Sequence, residues 1–121
     1  MDIDKRKKLK YKNKLWNVKV STYKNKRICL ILESKKDSIE ITIDLNDAYL
    51  DNGRIFLDPA VKDNGILNVL RKSRIIKSIT GMIYYDYLSV PVALLNMGIL
   101  RSYDYNGVME HFETINKEED I

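Results

Sequence analysis

Within residues 15–45 two runs carry an apolar side chain at every second position, and this period of two commits the start of the chain to antiparallel sheet. Trp16, Val18 and Val20 alternate with Asn17, Lys19 and Ser21, the pattern of a half-buried strand. Tyr23-Lys24-Asn25-Lys26 is turn-like, and Ile28-Cys29-Leu30-Ile31-Leu32 is apolar throughout, as a strand covered on both faces is. Residues 33–38 are polar and predict a hairpin loop. Ile39, Ile41, Ile43 and Leu45 then alternate with Glu40, Thr42 and Asp44, the cleanest strand pattern in the chain. Three strands joined by short polar links predict a meander.

Further along, Asp51-Asn52-Gly53 is a turn signal and residues 54–57 predict a short strand, stopped by Asp58-Pro59. Asn64 is a candidate N-cap for a helix with Ile66, Leu67, Val69 and Leu70 on one stripe and Arg71, Lys72 and Arg74 near its C-terminal dipole. Thr80-Gly81 reads as a turn. Alternation after it predicts Ile83, Tyr85 and Tyr87 inward and Tyr84 outward. Pro91 predicts an edge strand or a break, and Asp104 or Asn106 is placed to cap a last short helix carrying Val108, Met109 and Phe112. The expected fold is α+β: a mainly antiparallel sheet with an N-terminal three-stranded meander, one packed helix and a small C-terminal element. At 121 residues the chain supports one core, since folding at this size buries about two-thirds of the unfolded surface. The expected organisation is a basic, flexible segment over residues 1–12, a single domain over 13–116 and an acidic, frayed end over 117–121.

Charge is unevenly spread. Residues 1–27 carry a net +9 and residues 28–121 a net −5. Lys5, Arg6, Lys7, Lys8, Lys10, Lys12 and Lys14 are followed by Trp16, so cations that neutralise phosphates lie beside an aromatic face that stacks bases. These eight residues are the candidate nucleic-acid contacts. A solvated arm leading into a strand with inward-facing aromatics accounts for the same pattern, and both readings stay open. No apolar run approaches the ~18 residues of a membrane span, and the lysine run after Met1-Asp2 lacks a signal-peptide core. A lone cysteine excludes an internal disulfide. These features predict a reduced, cytoplasmic domain with no membrane partner.

Catalytic patterns are weak. Glu33-Ser34-Lys35 echoes the end of a metal-dependent nuclease signature but lacks a second carboxylate nearby. Asp44, Asp47, Asp51, Asp58 and Asp63 do not follow EF-hand spacing. His111 has no serine or cysteine nucleophile motif around it and reads as a surface histidine tuned upward by acidic neighbours. Cys29 reads as a small core residue, and no glycine-rich phosphate loop occurs. No catalytic residue, metal or cofactor is therefore expected. The chain has eight tyrosines, and Tyr84, Tyr103 and Tyr105 are the candidate protein-binding residues, because such side chains are enriched at recognition surfaces.

Residues 43–95 carry a spaced pattern of Leu45, Tyr49, Asp58, Asn64-Gly65 with its helix, Thr80-Gly81, the tyrosine-rich strand, Pro91 and Leu94. In that pattern the block resembles a family of small uncharacterised proteins carried by phages and conjugative elements of low-GC Gram-positive bacteria. The resemblance implies a genomic context in which small proteins inhibit host defence, including anti-CRISPR proteins and sponges for signalling nucleotides, and it carries over no catalytic residues. The expected function is non-enzymatic, stoichiometric binding that inhibits a host defence complex, itself able to contain nucleic acid. The alternative is binding of nucleic acid or a signalling nucleotide through the basic segment and aromatic side chains. Oligomeric state is left open.

Overall fold

Strands β1 (Leu9–Tyr11), β2 (Lys14–Thr22), β3 (Ile28–Glu33) and β4 (Ser38–Glu40) form one antiparallel sheet in that order. A second antiparallel sheet has the order β5-β7-β6, from β5 (Arg54–Phe56), β6 (Ile76–Tyr85) and β7 (Leu88–Leu95). The computed structural model describes residues 6–116 and, within them, four helices: α1 (Ala60–Asp63), α2 (Ile66–Lys72), α3 (Met97–Tyr103) and α4 (Tyr105–Asn116). The α+β class with antiparallel sheets is as the sequence predicts. The number of sheets and the single packed helix are not. Lys5 and residues 117–121 lie outside the described residues. No helix among the described residues is long and apolar enough to cross a membrane.

The segment with the cleanest alternation does not stay in one sheet. Its first part is β4, paired to β3. The Ile41 N–H donates to the Leu30 carbonyl in the first sheet, while the Ile41 carbonyl accepts from the Asp58 N–H and the Ile43 N–H donates to the Phe56 carbonyl beside the second. An antiparallel bridge pairs Thr42 with Leu57. Residues 41–43 thus join the two sheets, and Ile41 and Thr42 are both buried in place of alternating. The Thr42 hydroxyl is satisfied there, accepting from the Leu30 N–H at 3.1 Å and lying 2.9 Å from the Tyr23 hydroxyl. Burial pushes that phenol up to about 12.

The boundary drawn after residue 12 is also corrected. Leu9 and Tyr11 are buried and β1 pairs with β2 through Leu9↔Trp16 and Tyr11↔Lys14. Lys12 and Asn13 turn the chain with φ of 53° and 59°, both left-handed as a two-residue hairpin with twisted strands requires. The Tyr11 hydroxyl donates to the Asn64 carbonyl at 2.7 Å, tying this hairpin to the start of α2. Asn64 is not the N-cap expected from sequence: it ends α1, and Gly65, at φ 84°, is the N-cap of α2, while the Asn64 side chain accepts from the Ile66 N–H at 3.1 Å and α2 buries Ile66 and Leu70.

Thr80-Gly81 is not a turn. β6 runs through it with register shifts at Ile76/Ser78 and Ile79/Gly81, and such bulges re-aim the side chains beyond them. Pro91 sits on the central strand of its sheet, not an edge, opposite Met82. Its carbonyl accepts from the Leu57 N–H at 2.9 Å where β5 ends, so its missing donor falls at the end of that ladder. After β7, the Asn96 side chain caps α3 by accepting from the Ile99 N–H at 3.1 Å. Asp104 caps α4 through the Gly107 N–H at 3.1 Å and also accepts from the Val20 N–H at 2.8 Å, closing the edge of β2 that β1 leaves open. A Cβ on Gly107 would come within 2.6 Å of the Val20 carbonyl, so only glycine lets α4 lie this close to the strand.

Candidate functional site

Of the seven large apolar side chains exposed among the described residues, five lie in the second sheet or the loop beside it: Tyr49, Met82, Tyr84, Tyr87 and Leu88. Met82 and Tyr84 pair with Pro91 and Ser89 across the β6–β7 hairpin, on a stretch that extends past the three residues of β5. On the other face Ile83 and Tyr85 pack over a satellite core of Leu45, Phe56 and Val90. The inner face is thus anchored and the outer face left bare. Tyr49 and Tyr84 are each 83% exposed.

A depression of about 290 Å³ lies between the 49–54 loop and this hairpin, with Tyr49, Asp51, Arg54, Thr80, Met82 and Ile83 in its lining. Tyr49 donates to the Asp51 carboxylate, which also lies 3.5 Å from the Arg54 guanidinium, and Arg54 Nε donates to the Thr80 hydroxyl at 3.2 Å. The hydrogen bond to Asp51 raises the Tyr49 phenol above its ordinary range, since ionising it would place two anions together. This chain of polar contacts links the loop to the bulge that re-aims β6.

The hairpin tip is unusual. Asp86 and Tyr87 have φ of 49° and 66°. Asparagine or aspartate suits the first of these positions and glycine the second, whereas a bulky side chain in left-handed backbone is strained. Tyr87 is also fully exposed, so no packing offsets that strain. Alternation predicts Tyr87 inward. The signal that finds it is the two-residue gap between the apolar runs 82–85 and 88–95, with aspartate leading it.

The other candidate residues are dispersed. Tyr105 is exposed on α4, but Tyr103 is 6% exposed, with the Lys7 ammonium 5.3 Å from its ring centroid, and offers no docking surface. Trp16 is buried, its Nε1–H donating to the Tyr11 carbonyl at 3.1 Å, so its face is closed to a base. The lysines flank buried rings: Lys12 lies 5.5 Å over Tyr11 and Lys14 lies 4.8 Å over Trp16, inside cation–π range. Lys14 also reaches Asp37, Lys8 donates to Asn17, and Arg6 lies 3.7 Å from the buried Asp104 carboxylate. Lys10 is exposed opposite Leu15. Much of the basic segment therefore serves the fold.

Glu33 lies 3.7 Å from Lys19, and among the described residues no group of three or more His, Cys, Asp or Glu is placed to hold a metal ion. Cys29 is buried and free. His111 is not on the surface: it is 6% exposed, its Nδ1 lies 2.8 Å from the Thr22 hydroxyl, and burial lowers its pKa where acidic neighbours were expected to raise it. Comparison with protein-family models, curated proteins and solved structures returned no match.

Proposed function

We propose that the chain works by stoichiometric, non-enzymatic binding, and that it docks a protein partner on the aromatic end of the second sheet. The observation that carries this is Tyr87: a fully exposed aromatic ring held in left-handed backbone where glycine is cheaper. Strain without a packing return fits a side chain kept for contact. Tyr84 and Leu88 flank it on the hairpin, Tyr49 and Met82 border the depression beside it, and aromatic anchors of this kind supply much of the energy at protein interfaces. The partner belongs to the class the family resemblance implies, a host defence complex in the cytoplasm, inhibited as anti-CRISPR proteins inhibit theirs. The residues proposed to bind it are Tyr84, Tyr87 and Tyr49, with Tyr105 a separate point of contact on α4.

The test is co-elution of the full chain with purified RNA-guided effector complexes, alongside a cleavage assay for inhibition. Tyr84→Ala with Tyr87→Gly is expected to abolish both co-elution and inhibition, while Lys10→Ala and Lys12→Ala together preserve them. The opposite outcome, with binding that falls steeply as salt rises, moves the site to the β1–β2 hairpin and makes nucleic acid the ligand.

A further inference from the structure

A second depression lies apart from the β6–β7 hairpin. It is a cleft of about 450 Å³ between the turn joining β2 to β3, the 50–54 loop and α4, within the ~300–1,000 Å³ of small-molecule sites. Its apolar wall includes Ile28, Leu50, Met97, Phe112 and Ile115. Its charged lining leans positive, with Lys26, Arg27 and Arg54 against Asp51. Asp51 lies 3.5 Å from Arg54 and offsets that cation.

Arg27 is held differently. Its Nη1 and Nη2 donate to the Leu45 and Ala48 carbonyls at 2.8 and 2.5 Å, and its guanidinium lies 5.6 Å over the Phe56 ring. These neutral partners fix the planar fork without cancelling its charge. Among the described residues no carboxylate forms an ion pair with Arg27 or with Lys26. Two neighbouring cations therefore border a partly apolar cleft without counter-charge, which favours an anion there.

His111 is the third element. It is more than nine-tenths buried and lies between the cleft and a smaller cavity of about 280 Å³ beside β2, lining both; Thr22, its Nδ1 partner, lines the smaller one. No other hydrogen bond engages the ring among the described residues, and no sealed side-chain nitrogen or oxygen there lacks a partner. Nε2, on the far side of the ring from the nitrogen that meets Thr22, is therefore not sealed off. When the Thr22 hydroxyl donates to Nδ1, Nε2 carries the ring proton and presents a donor.

We infer that this cleft binds a small organic anion, its carboxylate or phosphate monoester against Arg27 and Lys26 and its apolar body on Phe112 and Ile115. An inorganic anion would use only the cations, and a neutral hydrophobe would leave them uncompensated. A chain with a single histidine allows a direct test, because every imidazole C–H resonance in a proton NMR spectrum belongs to His111. Adenosine monophosphate, indole-3-acetate and inorganic phosphate are titrated into the full chain at fixed pH and ionic strength. At least one organic probe is expected to shift the His111 resonances saturably, with inorganic phosphate weaker by about tenfold or more, and Lys26→Glu to weaken the organic probe by about tenfold. Saturation by adenosine monophosphate alone assigns the ligand to phosphate esters, and by indole-3-acetate alone to carboxylates. Asn116→Glu, an exposed position on the α4 side of the cleft, repeats the charge test if Lys26→Glu fails to fold. Absence of a saturable shift with both organic probes overturns the inference. So does inorganic phosphate binding as tightly as they do, or a charge reversal that leaves affinity unchanged.

Discussion

The β1–β2 and β6–β7 hairpins both close through two left-handed residues, Lys12-Asn13 and Asp86-Tyr87, and neither pair contains glycine. In the first, Tyr11 and Trp16 turn inward with ring centroids 6.3 Å apart, and lysines lie over their outer faces. In the second, Tyr84 and Tyr87 stand in solvent. What differs is the support beneath. The first hairpin has the start of α2 beside it, through Tyr11 and Asn64, whereas the second has a satellite core under one face and, among the described residues, nothing over the other. Similar turn geometry and similar aromatic content thus give a packed hairpin in one place and, in the other, an exposed aromatic surface, the one proposed above for recognition.

The contrast breaks most readily at Trp16. Trp16→Ala is expected to cost about 3–5 kcal/mol, seen as a lower urea midpoint at unchanged slope, while Tyr84→Ala shifts stability by under about 0.5 kcal/mol. Equal costs would mean that both hairpins are structural. Asp104→Ala is expected to cost about 2–3 kcal/mol, because it leaves the Val20 and Gly107 amides without their acceptor, and hydrogen exchange should quicken at Val20 but not along β7. Tyr87→Gly is expected to raise stability by about 1 kcal/mol by relieving left-handed strain, while removing partner binding; Asn13→Gly should change little, since asparagine tolerates that backbone.

A final difference concerns acid. His111 sits where α4 meets β2, and burial holds its folded pKa below the ordinary value of about 6.5. As pH falls through that value the unfolded chain takes up the proton first, so stability falls from there down to the folded pKa and is level above it. Chemical denaturation followed by the emission of Trp16, the single tryptophan, should show this slope, and His111→Gln should flatten it.

Much of the secondary structure was legible. The alternation of Trp16, Val18 and Val20, the apolar run of β3 and the Asp104 cap all correspond to what the chain forms, because each is a local preference that the fold leaves intact; the start of α2 falls one residue later than Asn64, at Gly65. What was not legible depends on partners distant in sequence. Alternation over residues 39–45 gave no hint that the strand changes sheets at Ile41, since Phe56 and Asp58 supply the second set of bonds. Thr80-Gly81 has turn chemistry, but Val92 across the hairpin makes it a bulge. Tyr103 and Trp16 look like recognition residues until their cover is known, and Tyr87 looks buried if the period of two is carried one residue too far. His111 reads as exposed because its neighbours Glu110 and Glu113 are, while Thr22, which engages it, lies 89 residues away.

The short stretch shared by the two sheets has a mechanical consequence. Because Ile41 and Thr42 are each tied to both halves, neither half can peel off without tearing bonds of this shared stretch, so the molecule should open in one step and not in two. A tug on the aromatic hairpin is then borne by the whole fold, as the binding role proposed for that hairpin would require.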